Sequence, residues 1–295
     1  DMDLEILGFS DTELRLLLDG DTEDEDELPT LEEGTKTQPG DLIVLGNHRI
    51  FCGSSTIEPV IKAVMEGHKA KHVFAGPPCF NQRGLGNWES YSAYTEDMRS
   101  IIRNCASVLR KGGIVVWHVG NDSSSHRDHV SNHSRLLEDC DLRYMDSIAW
   151  VKTSANYGIP RNIHIKRNGY YFPAIQWEAL QVYQSPGDMP KMTQEGIKYM
   201  SDCHTNAWEV PSVTNQVKNY GHPAVVPTEM PYRCLQAYSA RDDVVLDPFG
   251  GSGTTLIAAE KCSRRARLVE INPVFCDMAA KRWEKLTGGT AEWIR

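Results

Sequence analysis

The residues best placed to do chemistry lie in Val244-Val-Leu-Asp-Pro-Phe-Gly-Gly-Ser-Gly-Thr-Thr255. A buried strand is expected to end at Asp247, a glycine-rich turn to follow, and a helix to open at Thr254. Gly250, Gly251 and Gly253 let backbone and ligand approach closely. The next apolar stretch ends in Glu270, about 20 residues on, where an acidic side chain suits the two hydroxyls of a ribose. A second string, Ala75-Gly-Pro-Pro-Cys-Phe80, closes another short apolar strand. His126-Arg-Asp-His129 with His133 has metal-type donors, but its adjacent charges and helical pattern read as polar surface. The eight cysteines (52, 79, 105, 140, 203, 234, 262 and 276) form no CxxC pair and no metal spacing. With no basic secretory start, they read as thiols of a reduced, cytoplasmic protein.

Alternating elements must position these strings. Asp41–Gly46 and Asn47–Cys52 read as two short strands around a tight turn. Helices are expected at 57–66, 95–109, near 133–140, and at 228–238, 254–261 and 272–286. Strands are expected at 71–75, 114–117, 145–151, 243–247 and 266–270. Residues 152–220 read as irregular. Strands alternating with helices imply an α/β sheet covered on both faces. No apolar run approaches the ~20 residues of a membrane helix.

The charge is unevenly spread. Residues 1–40 hold 14 acidic residues against Arg15 and Lys36, a net of -12. Residues 41–295 hold 29 basic and 26 acidic residues, a net of +3, and all ten histidines. The overall -9 is therefore a property of an acidic leader, which reads as a solvated linker. Within 152–220, Lys152, Arg161, His164, Lys166, Arg167, Lys191, Lys198 and Lys218 interleave with Tyr157, Tyr170, Tyr171, Trp177, Tyr183, Tyr199, Trp208 and Tyr220. Basic side chains can position phosphates, and Asn, Gln and Arg can read base edges.

The string 244–255 resembles the cofactor motif of S-adenosylmethionine-dependent DNA methyltransferases, in the permuted class whose catalytic motif precedes the cofactor motif. Gly221-His-Pro-Ala-Val-Val-Pro227 looks like that family's contact to the methionine end of the cofactor. Gly40–Thr56 resembles its N-terminal hairpin, and Arg264–Asp277 the end of its cofactor region. The likeness covers roughly residues 40–288. It implies a Rossmann-like fold with a mostly parallel seven-stranded sheet, one strand antiparallel, and helices on both faces. It implies cofactor contacts at Ser54, Gly76, His222, Pro223, Asp247, Phe249, Gly250, Gly251, Ser252, Gly253, Thr254 and Glu270. The family commonly has Asp where Ser54 stands. The expected domains are a leader at 1–40 and a methyltransferase domain at 41–295, with 152–220 as a target-recognition insertion. Double-stranded DNA is the implied partner, a homodimer is allowed, and no membrane is involved. The leader looks like the junction to an upstream partition-type DNA-binding domain.

The catalytic string departs from that family. Permuted amino-methyltransferases carry Asp, Asn or Ser before Pro-Pro and an aromatic residue after it. The first side chain accepts a hydrogen bond from the target amino group, and the ring stacks on the flipped base. Here Gly76 has no side chain, and Cys79 stands where the aromatic residue should be. Gly-Pro-Pro-Cys instead looks like the Pro-Cys element of DNA cytosine-5 methyltransferases, which implies Cys79 as a nucleophile adding to cytosine C6, positioned by Pro78. An ordinary thiol has a pKa of ~8.5, so such a role needs nearby positive charge or a base. By the same likeness His118 takes the place of the Glu that contacts cytosine N3, with Glu178 as a second candidate. Arg161 and Arg167 loosely match an Arg pair beside the base. The expectation is methylation at cytosine C5. The alternatives are an N4-cytosine or N6-adenine methyltransferase working through the Gly76 and Pro77 carbonyls, and an inactive DNA-binding homologue.

Overall fold

The structure is a computed structural model that describes residues 26, 28–29, 34–80, 88–120, 127–153, 176–213 and 226–295. The chain order is β1 (Leu42–Leu45), β2 (His48–Cys52), α1 (Glu58–Met65), β3 (Ala70–Ala75), α2 (Tyr91–Val108), β4 (Leu109–Val119), α3 (His129–Glu138), β5 (Arg143–Lys152) and β6 (Trp177–Gln184). It continues through α4 (Gln194–Met200), β7 (Ala207–Val210), α5 (Glu229–Tyr238), β8 (Val244–Asp247), α6 (Thr254–Lys261), β9 (Arg265–Glu270), α7 (Pro273–Thr287) and β10 (Glu292–Ile294).

One sheet runs β10-β1-β2-β9-β8-β3-β4-β6-β5-β7. Its inner seven strands, β2 to β5, contain one antiparallel member, β6, as expected. The described sheet has ten strands, because β1 and β10 extend one edge and β7 the other. β1 is a second antiparallel strand.

Strand alternation divides the core. On one face Val73, Val115, Trp117 and Leu246 pack on α1, α2 and α3 through Ile61, Met98, Ile102 and Leu137. On the other face Val245 and Leu268 meet α6 and α7, while Phe74, Ile114, Val116, Leu180 and Val182 meet Cys234 of α5. Each fully buried aliphatic side chain contributes about 1.5–3 kcal/mol. Central strands covered on both faces lose the polar half of their alternation.

That loss explains one corrected expectation. Residues 177–184, read as irregular, form β6 between β4 and β5. Ala179, Leu180, Val182 and Tyr183 are buried there together with Gln181 and Gln184, so no clean period of two survives in the sequence. Residues 194–200 and 207–210 are also ordered, as α4 and β7.

The leader differs from a solvated linker where it is described. Lys36 N–H and Thr37 N–H donate to Asp277 of α7, and Thr37 Oγ1 donates to Asp277 Oδ1 at 2.5 Å. Leu28 is buried against Phe275 and Met278. Asp26 Oδ1 accepts from both the backbone N–H and the hydroxyl of Thr228, the cap of α5.

Candidate active site

The glycine turn after β8 is held by its own backbone and by two carboxylates. Gly250 N–H donates to Val269 and Gly253 N–H to Gly250. Gly253 caps α6 in the left-handed region, at φ +86°, and a Cβ there would lie 2.7 Å from Ala279 Cβ. Glycine is required on both counts. Asp247 Oδ1 accepts from Phe249 N–H, and Oδ2 accepts from the Thr255 hydroxyl. Burial raises the Asp247 pKa to about 7, against the two hydrogen bonds that lower it.

Glu270, at the end of β9, spans the turn. One oxygen accepts from Gly251 N–H and the other from Asn272 N–H, both at 2.7 Å. Burial pushes its pKa up. Beside it, Gly53 N–H donates to the Glu270 carbonyl. Ser54 hydrogen-bonds Thr56, and Ser55 donates to the Pro248 carbonyl. The expected cofactor residues 54, 247, 249–254 and 270 therefore meet at the carboxyl ends of β2, β8 and β9. This edge of a parallel sheet is where α/β folds take ligands. The glycine-rich turn together with an acidic neighbour fits the nucleoside part of S-adenosylmethionine. His222 and Pro223 lie outside the described residues.

The second cluster follows from period-two alternation. On one face of the sheet, Phe74, Val116, Leu180 and Trp150 are apolar. Two residues toward the same sheet end, on that face, stand Gly76, His118, Glu178 and Lys152. The pairing of Ala75 with Trp117 carries Gly76 alongside His118, and β6 sets Glu178 opposite Trp150. A Cβ on Gly76 would lie 3.6 Å from His118 Nδ1. His118 Nε2 lies 2.7 Å from Glu178 Oε2, and Lys152 Nζ is bound to Oε1. Burial alone would raise the Glu178 pKa, but the His118 and Lys152 contacts outweigh it and hold it at about 2. Glu178 is thus a carboxylate, so Nε2 is the donor. The Lys152 ammonium also sits 4.7 Å from the Trp150 ring centre.

The opposite face carries a directed chain. Trp117 Nε1–H donates to His133 Nδ1 at 2.7 Å. His133 must then carry its proton on Nε2, which donates to Tyr94 Oη at 2.9 Å. Tyr94 in turn donates to the Pro78 carbonyl at 3.0 Å. Burial lowers the His133 pKa to about 3 and pushes that of Tyr94 up, so both groups keep the protonation this order requires. His129 and His133 are fully buried rather than surface residues. No cluster among the described residues offers a metal three His, Cys, Asp or Glu donors.

Cys79 is partly buried and forms no disulfide. Phe80 packs edge-on against Tyr91 and Tyr94, and Phe249 against Trp117. The structure brings Gly76, His118 and Glu178 together, and sets Pro78 against Tyr94 of the opposite-face chain. Arg161 and Arg167 lie outside the described residues. Lys152 and the Trp117–His133–Tyr94 chain were not singled out as site residues. Their partners are 16 to 39 positions apart, so no local motif marks them.

Residues 70–281 match the family model described as DNA methylase, of N6 and N4 specificity. Type II methyltransferase M2.MboI of Moraxella bovis is 33% identical over 237 residues, 73% of this chain and 81% of the relative. M2.DpnII of Streptococcus pneumoniae is 27% identical over 262 residues, covering 81% and 90%. The chain spans only 26% of another relative, M.BslI of a Bacillus strain, at 23% identity over 76% of this chain. Two solved structures share the fold. The cytosine-N4-specific PvuII methyltransferase has a TM-score of 0.63 at 19% identity, over 86% of this chain and 94% of its own. A DNA modification methylase of Thermus thermophilus, complexed with S-adenosylmethionine, has a TM-score of 0.61 at 24% identity, over 83% and 98%.

The match to an N6 and N4 family overturns the expected methylation of cytosine C5 through a Cys79 adduct. An amino nitrogen has its own lone pair for attack, so no thiolate addition is needed. The motif position of Cys79 is that of the family's aromatic residue, and a Pro-Pro-Cys string alone does not change the reaction class.

Proposed function

The chain belongs to the N6/N4 DNA methylase family and uses S-adenosylmethionine, and from that premise we propose that it methylates an exocyclic amino nitrogen of DNA, N4 of cytosine or N6 of adenine. The observation that carries this reading is the adjacency of two loops. The glycine turn after β8 and Gly76-Pro77-Pro78 after β3 leave neighbouring parallel strands at the same sheet end. When bound, S-adenosylmethionine supplies an electrophilic methyl group on a sulfonium, whose C–S bond breaks as the N–C bond forms.

The chain's own residues do the rest. Glu270 takes the ribose hydroxyls while bracing Gly251, and Asp247 fixes the turn through Phe249 and Thr255. His222 and Pro223 contact the methionine end. The Pro77 carbonyl accepts one N–H of the target amino group. Pro78 cannot share that task equally, because its carbonyl already accepts from Tyr94. Residues in 152–220 outside β6, α4 and β7 serve DNA recognition, with Arg161 and Arg167 on phosphates. The acidic leader joins an upstream DNA-binding domain.

Mass spectrometry of nucleosides from DNA of expressing cells tests the reading. N4-methylcytosine or N6-methyladenine is expected. Finding 5-methylcytosine, or no modified nucleoside, overturns it.

A further inference from the structure

Gly76 leaves the catalytic motif without its first side chain, yet the space beside it is filled from the next strand. We propose that His118 Nδ1 takes over the acceptor role that the motif assigns to residue 76, with Glu178 and Lys152 as the positioning residues that set its tautomer. This rests on the amino-methyltransferase reading above.

Three observations carry it. The first is position. His118 Nδ1 lies 3.6 Å from where a residue-76 Cβ would stand, bordering the space that a short polar side chain there would enter. The second is the proton. Glu178 accepts from Nε2 at 2.7 Å, which fixes that proton and leaves Nδ1 as the ring nitrogen facing the residue-76 site. Lys152 holds the other carboxylate oxygen, so Glu178 is fixed from both sides. The third is orientation. Among the described residues Nδ1 has no hydrogen-bond partner, while the ring is fixed against Trp150, 5.5 Å between centres.

The target amino group donates one N–H to Nδ1 and so keeps its lone pair aimed at the methyl carbon. As the N–C bond forms and the sulfonium becomes a thioether, the nitrogen gains positive charge and becomes acidic. Its surplus proton passes to Nδ1. The resulting imidazolium is stabilised by the Glu178 carboxylate until water removes the proton. Nδ1 thus serves first as acceptor and then as base, and charge and atoms balance.

The test uses the full chain with a duplex DNA substrate that the wild type methylates. His118→Ala is expected to lower kcat about a hundredfold, with cofactor affinity within a few-fold of wild type. Gly76→Asn added to His118→Ala puts an amide oxygen into the vacated space. The backbone there is outside the left-handed region, so the side chain is tolerated. The double variant is expected to regain at least tenfold of the lost kcat. Glu178→Gln, which keeps shape but can hold the other tautomer, is expected to lower kcat while leaving KM for DNA nearly unchanged. A His118→Ala enzyme with wild-type turnover overturns the proposal. So does a double variant that binds cofactor yet stays as slow as the single one. If the wild type itself makes no amino-methylated nucleoside, the underlying activity fails instead, and that outcome is read before any variant is made.

Discussion

The two halves of the site are built by opposite strategies. The cofactor half is local: Asp247, Phe249, Gly250–Gly253 and Thr255 bond one another within nine residues, and Glu270 closes the turn from the adjacent strand. The target half is distributed: Gly76 follows β3, His118, Lys152 and Glu178 lie on β4, β5 and β6, and they meet only through sheet register. A local device depends on backbone conformation, so its glycines are irreplaceable. A distributed device depends on side chains at the end of a lattice, so one strand can take over what another has lost. Gly76 and His118 illustrate that exchange.

This contrast can be broken experimentally, and the largest effect is expected in the local half. Gly253→Val forces a β-branched residue into left-handed backbone against Ala279. The expected cost is roughly 2–5 kcal/mol, read as a lowered denaturation midpoint with cofactor binding lost. A variant as stable as wild type would show that the turn relaxes. Glu270→Ala comes next. It removes the acceptor of two backbone donors and the proposed ribose contact. Calorimetry should show cofactor affinity weaker by on the order of ten- to a hundredfold, with kcat at saturating cofactor much less changed. Equal losses in both would mean that Glu270 serves the chemistry rather than the ligand. Cys79→Ser is expected to have the smallest effect, within about threefold of wild-type kcat, because direct attack by an amino nitrogen uses no thiolate. Loss of turnover on this change, together with covalent trapping on 5-fluorocytosine DNA, would reverse the assignment of the reaction.

The same contrast explains what could be read in the sequence. The meeting of Asp247–Thr254 with Glu270 was legible because the residues are contiguous or at fixed separation. Strand–helix alternation gave the α/β sheet, while the antiparallel member was implied only by the family likeness. The C5 expectation failed because two substitutions in one short string, Gly76 and Cys79, outweighed a family likeness spread over two hundred residues. β6 was hidden because its strand is buried on both faces, so Gln181 and Gln184 broke an alternation that burial had already erased. His118 and Glu178 were found one at a time, as separate candidates. Their bond, and Lys152 as its third member, depend on which strands are neighbours, and single-chain patterning does not carry that information. His129 and His133 misled in the other direction. Charged neighbours made them look exposed, whereas the helix turns both inward.

The edge of the sheet bears on how the chain folds. Trp293 donates its indole proton to Thr37 across 256 positions, and β10 pairs with β1 next to it. Lys36 and Thr37 are tied to Asp277 over a comparable separation. Contacts this remote carry the full entropy of closing a long loop before they return any stability. The β1 edge therefore cannot be sealed until α7 and β10 are in place, however early the hairpin of β1 and β2 forms. Closure of this edge belongs among the slow steps of assembly, and the hairpin's outer strand stays open to mispairing until then.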